Sequence, residues 1–211
     1  MNVLEFFLRN RTEVLELTLE HLRLVGVSTL LAVAVGLPLG MLLTRWPAWS
    51  KPILGSANIM QTIPSLALFG FFLPVPWIGA RADRLAILAL TLYALLPIIR
   101  NTYAGIVGVD RAVVEAGRGM GLTDRQLLFQ VELPLALGVI IAGVRVATVI
   151  SVGVATIAAA IGAGGLGEYI FRGVSMVNNQ LILAGAIPAA LLALMADVSL
   201  GVIEKRLQPS Q

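Results

Sequence analysis

Few side chains in this sequence could do covalent chemistry. His21 is the only histidine, Lys51 and Lys205 are the only lysines, and there is no cysteine. One histidine cannot supply a multi-histidine metal site, and no thiolate ligand or cysteine nucleophile exists. A phosphate-binding G-x-x-x-x-G-K-[ST] is absent, so ATP hydrolysis is not expected of this chain. Gly162-Ala163-Gly164-Gly165-Leu166-Gly167 fits the dinucleotide pattern G-x-G-x-x-G in spacing alone. That pattern needs a strand before it and an acidic residue about 20 positions on. Here an apolar run precedes it, and Asn178, Asn179 and Gln180 stand near the downstream position. The glycines are expected to turn the backbone tightly. His21, just ahead of the first apolar run, is expected at the membrane interface as an ordinary residue.

Two charges stand out because of where they lie. Arg145 and Asp197 interrupt or border long uncharged stretches, 11 residues past Pro134 and eight before Lys205. At helical rise both sit about 12 to 17 Å from the same end of their helices. Charges inside a membrane usually pair or face a cavity. Either Arg145 snorkels while Asp197 caps a neighbour, or the two form an ion pair beside a gate.

The elements that position these residues follow from composition. Of 211 residues, 58% are hydrophobic and 13% charged, and the mean hydropathy is +0.91. A soluble domain carries about 25% charged residues, so this is an all-α polytopic membrane protein. Uncharged runs cover 24–44, 52–80, 85–99, 133–144, 146–167 and 173–196. A membrane helix needs about 20 largely apolar residues. Five spans are expected, at 24–44, within 53–75, at 85–100, within 135–161 and within 181–203. Arg100 is expected to snorkel at the end of the third. Gly26, Ser28, Gly36 and Gly40 are expected to let the first span pack closely. Residues 1–23 form an interfacial or outward-extending helix, 24–203 the membrane domain, and 204–211 a tail. The first 21 residues lack a signal-peptide pattern, so the first span is expected to insert uncleaved. Trp46, Trp49 and Trp77 fall at span ends, where belt residues sit.

The net charge is +3, without a cluster of five basic residues, which argues against nucleic acid as a partner. With 101–134 inside, eight cations face the cytoplasm (Arg45, Lys51, Arg100, Arg111, Arg118, Arg125, Lys205, Arg206). Six face outward (Arg9, Arg11, Arg23, Arg81, Arg84, Arg172). This bias gives an outside N-terminus and a cytoplasmic C-terminus.

The 101–134 segment is the longest polar stretch. It contains Glu115-Ala116-Gly117, then Gly121, then Val131-Glu132-Leu133-Pro134. Residues 110–117 are helix-compatible, Gly121 permits a reversal, and Thr123 can cap a second helix over 124–133. The result is either a solvated loop or a rigid two-helix knob.

This pattern resembles the EAA motif of permease subunits in ATP-binding-cassette importers: E-A-A, three residues, G, nine residues, I-x-L-P. Gly117 stands for the second Ala and Val131 for Ile. The chain as a whole is similar to osmoprotectant permeases for glycine betaine, carnitine and choline. Residues 61–65 (Gln61 to Ser65), the glycine run 161–167 and 185–188 bear that closer likeness. The resemblance implies a type I ABC importer permease fold in a bacterial or archaeal cell membrane. It also implies a second permease subunit, ATPase subunits that hold ATP and Mg and bind the knob, and an extracytoplasmic solute-binding protein. The coupling motif is then Glu115, Ala116, Gly117, Gly121, Val131, Leu133 and Pro134. The path or gate falls to Gln61, Pro64, Tyr93, Arg145 and Asp197. Tyr93 is the aromatic polar side chain well inside a span, too little to cage a quaternary ammonium tightly. An amino-acid permease is the near alternative. An ion-coupled carrier would need midplane acids and broken helices in repeated halves, and a single Asp with no repeat speaks against it. An intramembrane enzyme lacks a nucleophile and base.

Overall fold

The computed structural model describes residues 3–207; residues 1–2 and 208–211, at the ends of the expected N-terminal helix and tail, lie outside that range. The described residues are helical with no strand. In chain order they form α1 (Val3–Arg9), α2 (Arg11–Arg45), α3 (Pro47–Thr62), α4 (Ser65–Phe72) and α5 (Ala82–Val107). Then follow α6 (Arg111–Gly119), α7 (Asp124–Leu127), a π-helical turn (Leu128–Glu132), α8 (Leu133–Ala158), α9 (Gly167–Ser175) and α10 (Asn179–Leu207).

Among the described residues, four helices are long and apolar enough to cross a membrane: α2, α5, the unbroken helix Asp124–Ile161, and α10. The expected span within 53–75 is different. It is divided into α3 and α4, each too short to cross alone, at extended residues Ile63 and Pro64. Proline has no N–H and pushes its predecessor out of helical geometry, so the break falls where the sequence places Pro64. Helix α2 begins at Arg11 and runs through Arg23 without interruption, so 11–23 continue the same helix as 24–45. Arg100 is not at the end of its helix; α5 continues seven residues beyond it.

Helix α5 lies at the centre, packed on α2 and α8, and α10 packs against α8. The main core gathers Leu24, Phe69, Leu90, Tyr93, Val152 and Ala158 where α2, α4, α5 and α8 meet. Small residues set the distances between helices. A Cβ at Gly36 would meet Ile98 at 2.9 Å, and one at Gly40 would meet Thr102 at 2.6 Å. Ser28 Oγ donates to the Ile87 carbonyl across the same seam at 3.2 Å. Gly26 departs from the expectation, because its Cα faces open space.

Gly143 on α8 is more demanding. Its missing Cβ would sit 2.8 Å from the Pro97 carbonyl oxygen and 2.6 Å from Asn101 Cβ. Gly143→Ala should destabilise the purified protein by about 1 to 3 kcal/mol, the range for overpacking. Gly153, with nothing within 4 Å, is the control. Gly153→Ala should be neutral or slightly stabilising, because alanine is the better helix former. Thermal unfolding of the two variants in detergent checks this; equal midpoints would refute it.

Candidate coupling knob and transmembrane cavity

The knob is built from local rules. Asp110 caps α6 by accepting the Ala112 N–H at 2.9 Å. The helix stops at Met120, and Gly121 takes a left-handed φ of 84°. There the Gly121 and Leu122 N–H groups close back on the Arg118 and Gly117 carbonyls. Thr123 then caps α7 in a reciprocal box with Gln126. Positive φ favours glycine, and the box satisfies N–H groups that a helix start leaves unpaired. Gly117 is buried, and a Cβ on it would lie 2.8 Å from Leu127 Cδ1. The exchange of the motif's second Ala for Gly makes room for that leucine.

The second arm of the knob is not a separate helix. Beyond α7 the backbone widens into the π-helical turn and runs directly into α8. Pro134 has no N–H to donate, and its ring would strike the carbonyl four residues back in a regular helix. A wider turn just before it relieves both problems. Val131 and Leu133 are half-buried and Pro134 is exposed. Leu133 packs beside Ile106, Ala136 and Ile140.

Glu115 and Ala116 face outward on α6. The Glu115 carboxylate pairs with Arg111, one turn earlier, at 3.5 Å, with both side chains largely exposed. Exposed apolar side chains flank it: Val113, Met120 (76% exposed) and Phe129. An exposed mixture of large apolar groups with carboxylates and arginines (Glu115, Asp124, Arg111, Arg118) on the knob is a surface suited to a protein partner.

Gln61, Pro64 and Tyr93 meet at a cavity of about 330 Å³, also lined by Thr62, Ser65 and Val154. Gln61 Nε2 donates to the Tyr93 carbonyl at 2.8 Å, and the Tyr93 hydroxyl donates to the Ile63 carbonyl. These bonds fasten the α3–α4 break to α5 and satisfy a carbonyl that the break frees. The cavity is lined by a mixture of polar and apolar side chains and by no charged group.

Arg145 and Asp197 are paired. Arg145 Nε and Nη2 donate to the two Asp197 oxygens at 2.7 and 3.1 Å. A third member, absent from the sequence-based expectation, joins them: Nη1 donates to Glu204 at 3.1 Å. Asp197, Gly201 and Glu204 lie at i, i+4 and i+7 on one face of α10. A Cβ at Gly201 would come within 3.2 Å of Nη1, so this glycine opens the space that the guanidinium occupies. Spacing from Asp197 could have exposed Glu204, but it lies past the end of the uncharged run.

Other long-range contacts had no sequence signal. Arg45, read as a topology cation, pairs with the buried Glu132 at 2.5 Å. The expectation that His21 lies at the interface is corrected: it is fully buried, because the glycine run folds over the early part of α2. Gly162, Gly164 and Gly165 all have positive φ. Gly165 donates its N–H to Glu20 at 3.0 Å, and a Cβ there would press on His21 at 3.2 Å. Nearby, Glu13 pairs with Arg172 at 2.8 Å and Phe6 stacks edge-on against Tyr169. Burial pushes the Tyr169 hydroxyl above the ordinary phenol range, and Glu13 adds to the shift.

A central long-helix bundle, a broken crossing with a cavity beside it, and a capped knob rigidly joined to one span define a membrane transport subunit. The chain belongs to the family of binding-protein-dependent transport system inner membrane components, whose profile matches residues 36–209. It is 44% identical to the carnitine transport permease protein OpuCB of Listeria monocytogenes over 98% of this chain and 94% of that one. It is 43% identical to the choline transport system permease protein OpuBB of Bacillus subtilis, covering 99% and 95%. The osmoprotectant import permease protein OsmW of Salmonella typhimurium is 42% identical, covering 99% and 98%. In fold it matches an inward-facing MetNI methionine ABC transporter with a TM-score of 0.85 at 23% identity, covering 94% and 97%. An amino acid ABC transporter matches with a TM-score of 0.72 at 20% identity, covering 98% and 99%.

Proposed function

We propose that this chain is the permease subunit of an ATP-driven importer of compatible solutes of the glycine betaine, choline and carnitine class. The observation that supports it best is the identity to carnitine, choline and osmoprotectant permeases along nearly the whole of each chain. Two permease subunits, identical or homologous, form the path. ATPase subunits, which hold ATP and Mg, dock on the knob, and an extracytoplasmic binding protein delivers the solute. The N-terminus lies outside and the C-terminus in the cytoplasm, so the knob faces the ATPases. The membrane domain spans 24–203, with the coupling segment within 101–134.

In this reading the solute crosses by alternating access. The cavity at Gln61, Pro64 and Tyr93 is a transit site; with one tyrosine and no charge it holds a quaternary ammonium only weakly. Affinity therefore resides in the binding protein. Arg145, Asp197 and Glu204 tie α8 to α10 and keep the inner gate in register.

The test is a thermal shift of the cognate binding protein, with uptake of labelled glycine betaine by cells carrying the complete importer. Betaine, choline or carnitine should raise the unfolding midpoint and compete for uptake. A response to amino acids alone would overturn the substrate class.

A further inference from the structure

We propose that Arg45 is a positioning residue for coupling, acting through its ion pair with Glu132. The inference rests on the importer reading above and goes beyond the coupling motif itself. Arg45 is the last residue of α2, and Glu132 is the last residue of the π-helical turn, 87 positions away. The Glu132 side chain is only 8% exposed and Arg45 is 30% exposed. The same Nη2 also lies 3.5 Å from the Asp124 carbonyl, at the start of the knob's second arm. A half-buried guanidinium with a buried carboxylate is a directional, desolvated contact, unlike a solvated topology charge.

The surroundings make this contact decisive. Helix α6 rests on α7 and the π-helical turn. A cavity of about 310 Å³ lies between it and the ends of α2 and α5, lined by Thr44, Val107, Arg111 and Val114 and by Arg45 and Glu132 themselves. Among the described residues, Arg45–Glu132 is the one ion pair joining the knob to α2. Arg45 is also followed within two residues by the start of α3, whose far end carries Gln61 at the transmembrane cavity. The pair therefore adds a directional link between the knob and α2, beside the apolar cluster that Leu37 and Met41 of α2 share with Leu128 and Leu133. When ATPases move the knob, the pair makes α2 and α3 follow. Without it the knob carries α8, with which it is continuous, while α2 and α3 no longer follow.

The experiment compares wild type, Glu132→Gln, and the charge swap Arg45→Glu with Glu132→Arg. Each is reconstituted in proteoliposomes with the co-purifying ATPase subunit and the binding protein. Glycine betaine is the probe, and both ATP hydrolysis and uptake are measured. Glutamine keeps the shape and a hydrogen-bond acceptor, so the protein should still assemble. Glu132→Gln should hydrolyse ATP at the normal rate per complex but carry about 2- to 30-fold less solute per ATP, the range for residues that modulate coupling. The swap should recover part of the ratio. An unchanged ratio in Glu132→Gln, or a loss of uptake and hydrolysis in equal proportion, would overturn the proposal. A wild-type complex without ATP hydrolysis would overturn the importer reading and this inference with it.

Discussion

Arg145→Gln will leave little of this protein in the membrane, and removing the two acids that Arg145 holds will bring it back. The guanidinium uses both edges of its fork, binding Asp197 through two bonds and Glu204 through a third. Without it, two carboxylates face each other from one helix at i and i+7 with no cation between them. Stranding a charge costs more than deleting a whole charged group, and Glu204, with only 17% of its side chain exposed, is the more covered of the two acids. Asp197→Asn combined with Arg145→Gln should restore less than the triple variant that also carries Glu204→Gln. Arg145→Lys should fail as well, because an ammonium cannot span both acids. Quantitative immunoblots of membrane fractions check the series. Wild-type abundance of Arg145→Gln, or no recovery in the triple variant, would refute it.

Gly121→Val will abolish transport while the protein inserts and accumulates normally. The substitution meets no neighbour, since a Cβ at Gly121 would have nothing within 4 Å. The entire effect is backbone strain at a φ of 84°. That conformation costs an ordinary residue about 1 to 2 kcal/mol, and a branched side chain more. The knob gives way because its turn is stabilised by only a few hydrogen bonds; the spans, held by extensive packing, do not. Asn, which tolerates this conformation, should retain most of the activity, and Ala should fall between. The measurements are uptake, membrane abundance and recovery of the ATPase subunit with each variant. Wild-type uptake by both Gly121→Val and Glu115→Ala would mean that this knob is not the coupling element.

What the sequence made legible was either local or rare. Asp110, Gly121 and Thr123 announce the knob because caps and turns depend on residues within one helical turn. Arg145 and Asp197 could be matched because charges in apolar runs are few. The division of the second span hung on Pro64, which was visible, yet a proline within an apolar stretch kinks one helix as readily as it separates two. The π-helical turn was hidden for a similar reason: Pro134 required some irregularity, but not a particular one. Glu20 with Gly165 and Arg45 with Glu132 lie 145 and 87 positions apart. No periodicity within a helix encodes which side of a distant helix it will meet. His21 was misplaced on the same account, since its burial is created by a loop 144 positions later (Gly165 against His21).

The unbroken helix from Asp124 to Ile161 makes the protein sensitive to phase. Its 38 residues extend for about 57 Å, well beyond the roughly 30 Å of a bilayer's hydrocarbon core. Each residue in such a rod advances about 100° around the axis. A substitution leaves that angle untouched, but one inserted or deleted residue between the knob and Arg145 turns everything on one side relative to the other. The knob would then aim past its partner, or the guanidinium would aim past α10. The π-helical turn at Leu128–Glu132 already holds one extra residue per turn, and so acts as the setting that points the knob. Sequence length across 124–145 is therefore under tighter constraint than the identity of most side chains within it.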